Sequence, residues 1–223
     1  MKEQIKPGLF GRSVPVDGRR GEFDCKNEQV LYQDSRPDVV FFGDSITQHW
    51  DLDCWFRSAA QKINRGAGMD TTEYGAKRFA ADVVQLNPKA VVILMGINDL
   101  LSIAPDLWNR KPGADPERVI AGIEQNLRSM LSQCVAFQIY LCSVLPQSLC
   151  QPYDRVLFDA CIVKTNRILQ QLCAEYGAEY VDYYTALAEN GSLPAAYTYD
   201  GVHPNAAGYA IMTRLLKEKV AVL

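Results

Sequence analysis

A chain of 223 residues is long enough to bury one sizeable core, and 48% hydrophobic with 22% charged residues is the profile of an ordinary globular protein. A net charge of −3, with no basic stretch interleaved with aromatics, argues against nucleic acid as a partner. No apolar run reaches signal-peptide or membrane-spanning length, and the seven cysteines show neither C-x-x-C nor zinc spacing, so we expect no membrane role and core thiols in a reducing cytoplasm.

The first 36 residues are rich in Gly, Arg and Asp and read as an irregular arm packed on a single domain spanning 1–223. DVVFF (38–42) is a continuous β-branched and aromatic run, as expected of a strand buried on both faces. KIN (62–64), AVVILMG (90–96), QIYLCSVLP (138–146) and EYVDYY (179–184) are the further strand candidates. In DPERVIAGIEQNLRSMLSQC, Val119, Ile120, Ile123, Leu127, Met130, Leu131 and Cys134 recur at steps of three and four behind Pro116. Residues 153–176 repeat that pattern through Val156, Leu157, Ile162, Val163, Leu169 and Leu172. A last helix follows Asn205, an N-cap residue type, and turns Tyr209, Met212, Leu215 and Leu216 inward. Strands alternating with helices predict an α/β three-layer sandwich around a parallel sheet of about five strands. Ligands in such sheets bind beyond the carboxyl ends of the strands.

Chemistry is therefore sought at those ends. In FFGDSITQHW, Gly43 permits a sharp turn and Ser45 stands between strand and helix, where free backbone amides favour developing negative charge; the plainer alternative is a helix cap. Asp44 beside it is acceptor-only and would brace the turn or border the ligand. His49 falls one helical turn after Ser45 and could face the pocket, the plainer reading being a helix-surface residue, while Trp50 and Trp55 read as core. In NRGAGMDTT two glycines leave amides exposed, and Asp70 or Thr71 can cap the next helix. Asn98, in LMGINDLL, projects a carboxamide that can donate to an oxyanion, or else bonds its own turn. The segment 100–116 is long, irregular and interrupted by prolines, with Trp108, Asn109 and Arg110 as its candidate ligand contacts. Near the end, YTYDGVHPNAAGYA sets Asp200 three residues before His203, one of two histidines in the chain. A serine needs a base to take its proton, and the base needs a third group to fix its tautomer. Ser45, His203 and Asp200 could supply all three.

The blocks GDSIT, NRGAGMDTT, GIND and DGVHP, in that order over residues 43–204, resemble those of the SGNH hydrolases, the GDSL esterases and lipases. The resemblance implies a flavodoxin-like sandwich with Ser45 as nucleophile, His203 as base and Asp200 as orienting acid. It also implies oxyanion donors from the Ser45 N–H and Asn98, with no metal and no organic cofactor. The family usually carries a glycine before the DTT-like segment as a third backbone donor. Here Met69 holds that place and Gly68 precedes it, so either amide can fill the role. The expected substrate is a small-molecule or carbohydrate ester with a short acyl group; Tyr153 joins Trp108, Asn109 and Arg110 as residues suited to a sugar ring. Flat helical faces in this fold are compatible with a homodimer. Two other readings compete: a phosphatase of the aspartyl-phosphate type using Asp44, and a binding module without chemistry.

Overall fold

In the computed structural model, which describes residues 3–104, 114–149 and 154–223, the five strand candidates contribute one parallel sheet in the order β2-β1-β3-β4-β5. Its strands are β1 (Val39–Gly43), β2 (Lys62–Gly66), β3 (Ala90–Leu94), β4 (Gln138–Cys142) and β5 (Glu179–Val181). β1 and β3 are buried along their whole length, which is why they read as unbroken apolar runs. At the carboxyl ends, Gly43 pairs in register with Gly66 on one side and Leu94 on the other. The chain steps outward from β1 to β2, then back across to β3. The reversal falls between β1 and β3, the place where such sheets open a crevice.

Helices α4 (Thr72–Asp82), α6 (Pro116–Leu131) and α7 (Arg155–Tyr176) pack on one another over one face of the sheet. The other face carries α2 (Ser45–Gln48), α3 (Leu52–Trp55), α8 (Tyr183–Leu187) and α9 (Ala206–Lys219). There Trp50 donates its indole N–H to Thr213 Oγ1 (3.3 Å) and the Tyr209 hydroxyl donates to the Ile46 carbonyl (2.7 Å). The three-layer α/β sandwich is the one expected. Asn205 caps α9 by accepting from the Ala207 and Gly208 amides, and Asp115 caps α6 ahead of Pro116. The short α5 (Ile97–Leu100) follows β3 directly.

Several expectations need correction. The N-terminal arm is not irregular throughout: Asp17–Tyr32 forms a helix, α1. Its buried residues are Arg20, Phe23 and Asn27, at helical spacing but mostly polar, so no apolar period marks it. Arg20 forms a two-pronged ion pair with Asp82 (2.6 and 2.8 Å), and Arg78 reaches both Asp70 (2.8 Å) and Asp82 (3.0 Å). Asn27 accepts from Arg65 (2.6 Å) and donates to the Ala81 carbonyl (3.1 Å). The guanidinium carbons of Arg19, Arg20, Arg65 and Arg78 lie 4.7–5.7 Å from the centre of the Phe23 ring. In α7, Val156 and Leu157 are exposed, because the inward stripe runs through Phe158, Cys161, Ile162, Thr165, Leu169 and Leu172 and leaves them out of phase. Trp50 is core, but Trp55 is only half-buried. Cys142, Cys161 and Cys173 are buried, whereas Cys25 and Cys54 are exposed. Neither Asp70 nor the Thr71 side chain caps α4; Asp99 does so, accepting from the Thr72 N–H (3.0 Å) and hydroxyl (2.6 Å). Among the described residues no helix is long and apolar enough to cross a membrane.

Candidate active site

Ser45 opens α2 two residues beyond β1, half-buried at the carboxyl edge of the sheet. Asp44 is the N-cap, and its Oδ1 accepts from the Ile46 N–H (2.9 Å). Asp44 is 1% exposed and its Oδ2 has no hydrogen-bond partner among the described residues. Burial, with the nearby Asp70 and Asp99 charges adding to it, pushes this carboxyl up to about 7. Asp44 therefore braces the turn from below and does not face solvent, which removes support for its use as a phosphate acceptor.

His203 comes from a loop 158 residues away, and its Nε2 stands 2.8 Å from the Ser45 Oγ. Its Nδ1 is 2.6 Å from Asp200 Oδ2. Asp200 Oδ1 meanwhile accepts from the backbone N–H of Val202 (2.9 Å) and of His203 (2.8 Å). Partial burial works to raise the Asp200 pKa, but these amides and the imidazole outweigh it and hold the carboxylate below its ordinary value. The loop is closed behind the pair. The Thr198 hydroxyl and Tyr199 N–H both donate to the His203 carbonyl, at 2.7 and 3.1 Å. Gly201 sits at φ +87°, and a side chain there would run into the Ser148 carbonyl.

Asn98, 2% exposed at the start of α5, donates to the Asp70 carbonyl (3.0 Å) and so touches the end of the 66–70 loop. In that loop Met69 adopts φ +59°, a backbone conformation usually left to glycine. Its side chain is 38% exposed and its N–H has no protein partner among the described residues. The Gly68 N–H, by contrast, donates to Gln48 Oε1 at 2.6 Å.

His49 is exposed, as a surface residue should be, but it does not stand alone. Its ring centre lies 5.4 Å from that of His203, so the two histidines of the chain stand side by side. Reduced solvation, then the His203 charge, lower its pKa against the opposing pull of Asp200. From Asn98 a cleft of about 750 Å³ opens between Thr71, Glu73, Asp115, Arg118 and Asn126. A second cleft, of about 500 Å³, runs between α1 and the β2 edge and contains none of Ser45, His203 or Asp200. Trp108, Asn109, Arg110 and Tyr153 lie outside the described residues. The sequence reading missed Gln48 and Arg78. Their bonds reach backbone atoms 20 or more residues away in the case of Gln48 to Gly68 and Arg78 to Gly43, and no local pattern announces them.

Residues 41–211 match the model of the GDSL-like lipase/acylhydrolase family. The chain is 26% identical over 208 residues to an N-acylneuraminate cytidylyltransferase of Escherichia coli O18:K1:H7, covering 87% of this chain but 43% of that protein. Among solved structures it is similar to a GDSL-like lipase from Bacteroides thetaiotaomicron, with a TM-score of 0.70 and 27% identity over 90% of this chain and 96% of that one. The fold is also shared with an acetylxylan esterase from Geobacillus stearothermophilus, at a TM-score of 0.66 and 22% identity over 83% and 94% of the two chains. The family match begins inside β1 and ends inside α9, so it takes in the sheet and every block that carries Ser45, Asn98, Asp200 and His203. The chain belongs to the GDSL-like lipase/acylhydrolase family of hydrolases.

Proposed function

We propose that the protein is a serine esterase that hydrolyses a carboxylic ester through an acyl-serine intermediate, taking a short acyl group from a hydroxylated alcohol such as a carbohydrate. The observation that carries this reading is the unbroken relay from Ser45 Oγ to His203 Nε2 (2.8 Å) and from His203 Nδ1 to Asp200 (2.6 Å). Neutral His203 accepts the hydroxyl proton as Ser45 Oγ attacks the carbonyl carbon. Asp200, held ionised, steadies the imidazolium that forms. The new oxyanion is met by the Ser45 N–H, the Met69 N–H and the Asn98 carboxamide. Met69 is preferred to Gly68 because the Gly68 amide already donates to Gln48. His203 then protonates the departing alkoxide, water enters and loses its proton to His203, and the acid leaves as Ser45 regains its hydrogen.

The hydrogen-bonding side chains of Thr71, Glu73, Asp115, Arg118 and Asn126 around the cleft beside Asn98 support an alcohol portion that carries hydroxyls. The name of the Escherichia coli relative concerns a sugar acid, which is in keeping with a carbohydrate. Because the chain spans less than half of that relative, its cytidylyl transfer is not carried over.

The test is turnover of a chromogenic acetate ester and of acetylated sugars, with labelling by a serine-reactive phosphonate. Ser45→Ala should lower kcat by on the order of 10⁴ or more and abolish labelling. A Ser45→Ala protein that keeps its activity overturns the reading.

A further inference from the structure

We infer that Gln48 is a positioning residue for the oxyanion site, a strap that ties the Met69 amide to the turn bearing Ser45. The inference rests on the serine esterase reading above. Gln48 is the last residue of α2, three positions after Ser45 on the same helical turn, and is half-buried. Its side-chain oxygen accepts from the Gly68 N–H at 2.6 Å. Gly68 is the residue immediately before Met69.

The loop needs such a strap. Asp70 N–H bonds the Ala67 carbonyl (3.2 Å), closing a four-residue turn with Gly68 and Met69 at its centre. Met69 has φ +59° while Gly68 is not in the left-handed region, the pattern of a type II turn, whose third position normally calls for glycine or asparagine. The residue with the Cβ therefore occupies the strained place, and the glycine beside it is the freest backbone in the loop. Rotation about Gly68 would turn the Met69 N–H. The Gln48 bond removes that freedom at its source.

The rest of the loop is fixed on both sides. Asn64 donates to the carbonyls of Thr47 (2.8 Å) and Trp50 (3.1 Å) and accepts from the Gly66 N–H (2.8 Å). Gly66 lies so close to α2 that a Cβ on it would land on the Gln48 backbone nitrogen. On the far side Asn98 holds the Asp70 carbonyl (3.0 Å). Between these clamps Ala67 is held by its N–H donating to the Gly43 carbonyl (3.0 Å), and Gln48 is the side chain that bonds Gly68. Two donors of one oxyanion, the Ser45 N–H and the Met69 N–H, thus have their spacing set by a residue of Ser45's own turn.

The test replaces Gln48 by Met, which keeps length and loses the acceptor, and by Asn, which keeps an acceptor too short to reach. Each is assayed for kcat and KM on an acetate ester, for the affinity of a boronic acid that forms a tetrahedral adduct on serine, for the pH profile of kcat/KM, and for Tm. A misplaced donor should lower kcat between ~10- and ~100-fold. The boronic acid should weaken in proportion, with KM within about twofold and the acid limb of the pH profile unmoved, because the His203–Asp200 pair is untouched. Either variant, if folded, suffices. Unchanged kcat and boronate affinity in a folded variant overturns the inference, as does a loss confined to KM, which would make Gln48 a substrate contact. Ser45→Ala in the same assay separates the two levels: if it stays active the esterase reading fails, and if it is dead while Gln48→Met turns over at the parent rate, only the strap fails.

Discussion

Phe41 and Phe42 are neighbours on β1 and point to opposite faces of the sheet. Phe41 enters an aromatic cluster, with ring centres 5.7 Å from Trp50 and 5.4 Å from Phe56, and Trp50 in turn packs on Tyr183 and Tyr209. Phe42 meets Phe79 at 5.1 Å and, 4.0 Å from its ring centre, the Arg78 guanidinium. Arg78 is wholly buried and serves two carboxylates and two backbone carbonyls, those of Arg65 (3.0 Å) and Gly43 (3.0 Å). One face is held by area and shape, which degrade gradually. The other is held by charges that cancel only while every partner is present. The charged face is also the one that fastens the ends of β1 and β2, from which the Ser45 turn and the Met69 loop emerge.

The difference can be broken most forcefully at Arg78. Arg78→Met leaves Asp70 and Asp82 buried with their shared cation gone, and should cost about 3–5 kcal/mol in denaturant unfolding. A loss under about 1 kcal/mol would mean that the two acids simply take up protons. Asp82 and Asp44 then sharpen the contrast, being buried acids with opposite shifts. Burial alone would raise Asp82, but Arg20 and Arg78 overcome it and hold its pKa below the ordinary value. Its contribution is present above about pH 4 and is lost as pH falls through the folded value. Among the described residues no such cation pairs with Asp44, which stands at about 7 instead of 3.8. The folded state therefore holds that proton longer than the unfolded chain, and stability declines as pH rises from about 4 to 7, by a few kcal/mol at most. Asp44→Asn keeps a cap acceptor and should gain in Tm over the parent on going from pH 5 to pH 8. A pH-independent difference would show that Asp44 ionises normally. The smallest effect belongs to the aromatic face: Phe41→Leu should cost only about 1–2 kcal/mol, because neighbouring rings can close part of the gap. A loss as large as that of Arg78→Met would erase the distinction between the faces.

The same division explains what the sequence disclosed. β1 and β3, buried along their whole length, announce themselves as apolar runs, whereas β2 and β5 are partly exposed and mixed in composition, and the 179–184 candidate runs past Val181 into the helix Tyr183–Leu187. Ser45, Asn98, Asp200 and His203 were legible because each stands in a short block with its turn residues. α1 was not, since the face it buries is Arg20, Phe23 and Asn27, and a polar inward face carries no hydrophobic period. Val156 and Leu157 misled in the opposite sense: they are apolar and near the right spacing but belong to the exposed side of α7. The sequence left Gly68 and Met69 as alternative donors, and the bond from the Gly68 amide to Gln48, 20 residues away, is not visible in composition. The placement of His49 against His203 likewise joins residues 154 positions apart and needed the fold itself.

The Asp200–His203 loop has a further consequence. One carboxylate oxygen holds the loop's own amides and the other holds the imidazole, so the proposed acid and base form a self-contained unit within four consecutive residues. Such a unit can assemble early and cheaply, since almost no chain entropy is lost in closing so small a ring. Its link to Ser45 spans 158 residues and exists only once α9 has docked on the Trp50 side of the sheet. Hydrolytic competence should thus depend on that docking and vanish when α9 detaches, which makes turnover a reporter on it.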